Sequence, residues 1–164
     1  MSERDAADRL FPSRPFLAAS VAVLRDGRVL LAARGRGAMA GRYSLPGGLV
    51  EPGETLAEAA LRELREEVGV EAEMIGFLDH AEVIERDEQA RVRHHFVVCA
   101  HAARWRAGEP QAGAEAVDVR WVAADDLGSL PTTPGLAGIL RKAFALDRAP
   151  AFNTRMNATD SHET

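Results

Sequence analysis

The chain is poor in cysteine, in aromatic rings and in lysine, and each shortage excludes something. One cysteine, Cys99, stands in 164 residues, so no intramolecular disulfide can form and nothing calls for an oxidising compartment. Aromatic residues are 5% of the chain, which leaves few platforms for stacking bases. Lysine occurs once, at Lys142, and the other cations are arginines. Together 20 Lys and Arg face 25 Asp and Glu, a net charge of −5. That balance excludes a grip on nucleic acid through a broad basic face, so any phosphate-bearing ligand must be neutralised by other means. No apolar run nears the roughly 20 residues that span a bilayer, so no membrane association is expected. The N-terminus, Met1-Ser2-Glu3-Arg4-Asp5, carries both charge signs with no apolar stretch behind it, and the expectation is a cytoplasmic protein.

What is present describes one domain with an ample core, at 46% hydrophobic and 27% charged residues. Residues 1–14 and 149–164 are polar and aperiodic and read as flexible tails around a folded unit of residues 15–148. Phe16 to Leu24 and Arg28 to Arg34 are rich in Val, Leu and Ala. Asp26-Gly27 between them supplies the positive φ angles of a type I′ turn, so the pair is a hairpin. A short strand at Tyr43 to Leu45 is expected to end in a turn at Pro46-Gly47-Gly48. Thr55 followed by Glu58 forms a capping box, Ala57, Ala60, Leu61, Leu64 and Val68 make one apolar stripe, and Gly69 gives the stop. A helix from Thr55 to Gly69 follows. Met74 to Ile84, Val92 to Ala103 and Val117 to Val122 read as strands, and Thr133-Pro134 as the cap and first residue of a second helix. Strands before, between and after two helices give an α/β fold, a mixed sheet covered on its faces.

The first helix carries Glu63, Glu66 and Glu67 at i, i+3 and i+4, on the side its apolar stripe does not use. Like charges so spaced destabilise an isolated helix by roughly 0.2 to 0.5 kcal/mol per pair, and Arg62 and Arg65 compensate only part of this. A hard divalent cation such as Mg²⁺ takes oxygen ligands and is held by one or two carboxylates together with substrate phosphates. The spacing suits that chemistry, although a solvated Glu/Arg face is the commoner reason for such a run.

The surroundings are more specific. Gly48, Glu54, Arg62-Glu63-Leu64, Glu66-Glu67 and Gly69-Val70 fit the pattern G-x5-E-x7-R-E-U-x-E-E-x-G-U, with U aliphatic, at every fixed position. A chance match anywhere in such a chain is on the order of 10⁻⁸ to 10⁻⁷. This resembles the signature of the Nudix hydrolases, of the ADP-ribose pyrophosphatase and MutT type, and the resemblance covers about Phe16 to Phe144.

The resemblance implies an α/β/α sandwich with a mixed central sheet and a Mg²⁺ or Mn²⁺ cofactor. It also implies hydrolysis of a nucleoside diphosphate linked to another moiety, and a homodimer. Carried over by motif position, Glu63, Glu66 and Glu67 and the carbonyl of Gly47 are metal ligands, Glu66 alternatively a water-activating base. Arg62 orients a glutamate with Glu54, and Gly48 lets the diphosphate approach. Glu115, in the loop before the Val117 strand, is a second candidate base, and Tyr43, Phe16 and Phe96 are candidates for stacking on a base or packing the core. His80, His94, His95 and His101 show no zinc-ligand spacing.

An ADP-sugar such as ADP-ribose is the first-choice substrate. The alternatives are sanitising hydrolysis of oxidised or noncanonical nucleoside triphosphates and a non-catalytic nucleotide sensor. The chain departs from the subgroup marks. The proline about 15 residues beyond the box is absent, as is the Ser-Gln-Pro-Trp tract of NADH pyrophosphatases, and the only tyrosine, Tyr43, precedes the box.

Overall fold

The computed structural model describes residues 9–35, 39–114 and 116–148. Strands β1 (Phe16–Arg25) and β2 (Arg28–Arg34) form the expected hairpin, with Asp26 and Gly27 at φ 50° and 72°. Strand β3 (Tyr43–Ser44) pairs with β2. The expected turn at Gly47-Gly48 is instead strand β4 (Gly47–Leu49), antiparallel to β1 with Leu49 opposite Ala18 and Gly47 opposite Ser20. Glycine is a poor strand former. Here a Cβ on residue 47 would lie 2.3 Å from the carbonyl oxygen of Ala19, so the close approach of β4 to β1 requires the missing side chain.

Helix α1 (Leu56–Val68) begins and ends where its caps dictate. Thr55 accepts from the Glu58 N–H while Glu58 accepts from the Thr55 N–H, and Gly69 closes the helix at φ 70° with its N–H on the Arg65 carbonyl. Strands β5 (Glu71–Arg86) and β6 (Val92–Ala107) follow as a long antiparallel hairpin. Both run past the apolar stretches that announce them, because the ladder continues through charged ends. The register of β5 slips at several points, including Met74/Gly76 and Phe77/Asp79. Strand β7 (Ala116–Ala123) pairs with β2, and a 3-10 turn, Ala124–Ser129, leads toward helix α2 (Leu136–Arg148). That helix starts later than expected. Thr133-Pro134 opens a turn closed by the Leu136 N–H on the Thr133 carbonyl (3.3 Å), with Gly135 at φ 82°, a conformation that cannot continue into a helix.

The sheet order is β3-β2-β1-β6-β5, with β4 attached to β1 and β7 to β2. Because β1 and β6 run parallel and the other pairs antiparallel, the sheet is mixed. Its central strand β1 is buried on both faces. Val21 and Val23 face Leu64 and Val68 of α1, while Ala22 and Leu24 face Leu136, Leu140 and Phe144 of α2. The result is an α/β/α sandwich. Cys99 is buried in β6, which raises its thiol pKa and leaves it unreactive.

Candidate active site

The outer side of α1 gathers most of the motif residues into one bonded network. The capping box fixes where the helix starts, and the apolar stripe fixes its rotation. Glu63, Glu66 and Arg62 therefore emerge on the side facing β4. Arg62 is the hub. Its Nε and Nη2 donate to the two oxygens of Glu54 at 2.7 and 2.9 Å, a bidentate fork. Its Nη1 donates to Glu63 at 2.9 Å and to Glu66 at 3.2 Å, and Nη2 also reaches the carbonyl of Leu49 at 3.0 Å. The guanidinium holds the Glu54 carboxyl down to about 2, helped by the Glu51 N–H, and Glu54 in turn raises the Arg62 pKa further.

Strand β4 closes the network from the sheet. The Gly47 N–H donates to Glu67 Oε2 at 3.0 Å. Gly48 lies against the Glu63 carboxylate so closely that a Cβ there would come within 2.4 Å of its carboxyl carbon. Glu63 is largely covered, with 18% of its side chain exposed, whereas Glu66 is 61% exposed. The carboxylates are thus held by an arginine and a backbone N–H, and Glu63 packs against the bare backbone of Gly48.

This donor set fits a hard divalent cation. All its side-chain donors are carboxylate oxygens, the ligand type such a cation takes. Among the described residues no group of three His, Cys, Asp or Glu is arranged to hold a metal unaided.

The other candidates lie elsewhere. Tyr43 is 7% exposed in the core on the α2 side, and its hydroxyl donates to Asp118 while Arg120 sits over its ring. Burial and the Asp118 carboxylate raise its pKa. Glu115 lies outside the described residues. The loop before it packs on α1, where the Gln111 N–H meets the Val68 carbonyl at 3.1 Å and a Cβ on Gly113 would lie 2.5 Å from the Glu67 carbonyl oxygen. The rings of Phe16 and Phe96 meet at a tilt across β1 and β6, 5.8 Å between centroids. His101 is buried with Nδ1 3.2 Å from the Cys99 carbonyl oxygen, and His80 is exposed. One member of the network went unread in the sequence, the Leu49 carbonyl, which carries no side-chain signal; away from the network, Asp118 meets Tyr43 only through the β7–β2–β3 ladder.

The NUDIX domain model matches residues 14–143, and the chain belongs to the Nudix hydrolase family. A crystal structure of a MutT NUDIX hydrolase from Burkholderia pseudomallei superposes with a TM-score of 0.69 at 31% identity, over 79% of this chain and 98% of that one. The NAD-capped RNA hydrolase NudC of Pseudomonas syringae pv. syringae is 34% identical over 80% of this chain. The chain spans 44% of that relative's length. An ADP-ribose pyrophosphatase of Methanocaldococcus jannaschii is 30% identical over 80% of this chain and 73% of its own. Family members generally need a divalent metal and act on small nucleotide substrates. Among the described residues no helix is long and apolar enough to cross a membrane.

Proposed function

We propose that the chain is a Mg²⁺-dependent pyrophosphohydrolase that cleaves a nucleoside diphosphate linked to another moiety, ADP-ribose or a related ADP-sugar being the first choice. The observation that carries this reading is the contact of Gly48 with the Glu63 carboxylate. With no side chain at position 48, that carboxylate, which Arg62 already holds in place, lies directly against the β4 backbone where the motif would bring metal and phosphate together. The substrate class is supported by the likeness to the archaeal ADP-ribose pyrophosphatase, of which the chain covers most. The Ser-Gln-Pro-Trp tract of NADH pyrophosphatases is absent, which weighs against carrying over the substrate of the longer NudC relative.

Glu63 and Glu67 would hold the cation, with Glu66 and the Gly47 carbonyl as further donors. When bound, that cation neutralises phosphoryl oxygens and lowers the pKa of the attacking water. Arg62 keeps Glu63 and Glu66 from turning away, and Glu54 keeps Arg62 from doing so. Gly48 admits the diphosphate. Glu66, the more exposed carboxylate, would accept the proton of the attacking water, and Glu115 would be the second acceptor. The chemistry is a water oxygen forming a bond to phosphorus as the bridging P–O bond breaks, giving a nucleoside monophosphate and a phosphorylated fragment.

Glu67→Gln tests the site, because it removes a charge while keeping the shape. ADP-ribose hydrolysis in Mg²⁺ is expected to fall at least about 10²-fold in kcat, the loss typical of a principal electrostatic group. Unchanged turnover would remove Glu67 from the mechanism.

A further inference from the structure

The end of helix α1 is held from outside, by the loop that runs from β6 to β7. An α-helix leaves its last four carbonyls without helical partners. In α1 the Gly69 N–H takes the Arg65 carbonyl at 3.0 Å and the Gln111 N–H takes that of Val68 at 3.1 Å. The loop meets this end at two further points. A Cβ on Gly108 would lie 2.3 Å from the Gly69 carbonyl oxygen, and one on Gly113 would lie 2.5 Å from that of Glu67. Positions 108, 111 and 113 thus meet residues 69, 68 and 67 in turn, so the loop climbs the last turn of the helix backwards.

The loop is not free to retreat from the helix. Trp105 Nε1 donates to the Gly108 carbonyl at 2.8 Å. Arg25, at the end of β1, donates from Nη1 to Glu109 Oε1 at 2.8 Å, and its guanidinium lies 4.0 Å from the centre of the Trp105 ring. At its other end the loop runs into β7, which is paired along its length with β2.

Glu67 is therefore set between two pieces of backbone. The loop lies against its carbonyl, and the Gly47 N–H of β4 donates to its Oε2 at 3.0 Å. An ordinary Cβ contact starts near 3.4 Å, so a methyl at position 113 would have to open the junction with the helix by about 0.9 Å. The bond to Gly47 cannot follow that far, because an N–H and an oxygen about 3.6 Å apart no longer form a hydrogen bond.

We propose that Gly113 is a positioning residue of the reaction: the bare backbone of the β6–β7 loop sets the height of the last turn of α1, and with it the place where the Glu67 carboxylate meets β4 at Gly47. The inference rests on the part given to Glu67 in the function proposed above.

Gly113→Ala tests it, with Gly128→Ala, whose methyl meets nothing within 4 Å, as the reference. In the metal-free full chain, amide hydrogen exchange at Gly47 is expected to rise about tenfold or more in Gly113→Ala, through a local opening. Exchange at Val50, whose N–H bonds the Leu17 carbonyl, is expected to stay within about twofold of the native rate, and Gly128→Ala to change neither. With ADP-ribose and Mg²⁺, kcat of Gly113→Ala is expected to fall about tenfold to 10²-fold while KM stays within about twofold, the mark of a misplaced group rather than of lost binding. Should Gly113→Ala not fold, Arg25→Gln frees the loop from Glu109 and Trp105 and is expected to give the same pattern at smaller size. An unmoved Gly47 amide, faster exchange at Gly47 and Val50 alike, or full kcat beside a displaced Gly47 amide would overturn the inference. Glu67→Gln, run alongside, separates it from the reading it rests on. An unmoved Gly47 amide with Glu67→Gln inactive faults the positioning alone, whereas a displaced amide with Glu67→Gln fully active faults the assignment of Glu67 to the chemistry, and the part of Gly113 in the reaction with it.

Discussion

Helices α1 and α2 have the same length, 13 residues, and bury equivalent apolar stripes on opposite faces of one sheet, yet their outer sides differ. On α1 the charged groups around Arg62 are tied to one another and to β4 before any ligand arrives. On α2 the cations reach outward, Lys142 to a single carboxylate and Arg141 to none among the described residues. A network fixed in advance suits chemistry, which loses rate when a group is misplaced by about 1 Å. The two outer sides thus differ in how far their charges are tied down, on similar foundations.

The foundations can be compared first, since there the effects are largest. Leu64→Ala on α1 and Leu140→Ala on α2 each remove a side chain that is at most 1% exposed, and each is expected to cost about 2 to 5 kcal/mol in denaturant unfolding. A negligible cost for either would mean that the two faces do not share the core equally.

A sharper contrast comes from glycine. Gly48→Ala forces a methyl against the Glu63 carboxylate and is expected to lower kcat by about tenfold or more, as a displaced catalytic group would. Gly138→Ala, inside α2, meets nothing nearer than the end of the Arg141 side chain at 3.7 Å. It is expected to raise stability by a few tenths to about 1 kcal/mol, measurable as a higher thermal midpoint.

The smallest effect is a pH dependence. The Glu54 carboxyl lies at about 2 in the folded chain against a usual 4.5, because Arg62 favours its charged form. Its contribution is fully present above about 4.5 and is lost as pH falls toward about 2, since the unfolded chain takes up the proton first. Unfolding of the native chain and of Glu54→Gln should therefore differ by a constant amount above pH 5 and converge below it. A gap that widens on acidification would contradict the fork.

The acidic helix was legible because everything that sets it is local. Thr55, Glu58 and Gly69 lie within or beside it, and the Arg62 to Glu54 contact spans eight residues. Strand β4 was not, because Gly47-Gly48 has the local chemistry of a turn and becomes a strand only by lying against Ala18 to Ser20. The start of α2 misled for a related reason. Thr133-Pro134 has the form of a cap, and Gly135 then interrupts it. Parallel pairing of β1 with β6 brings together residues about 80 apart, and no periodicity records that choice. The same distance hides the contact of Asp79 with Lys142, which are 63 residues apart.

Strand β5 closes the sheet on one side, and its outer row of backbone amides and carbonyls has no strand to bond among the described residues. Such a border invites another molecule to add itself, the first step toward fibrous assembly. The slips at Met74/Gly76 and Phe77/Asp79 crumple the template, and Glu71, Glu73, Glu82 and Glu85 charge it. A border broken and charged in this way is a poor template for a second copy of the chain.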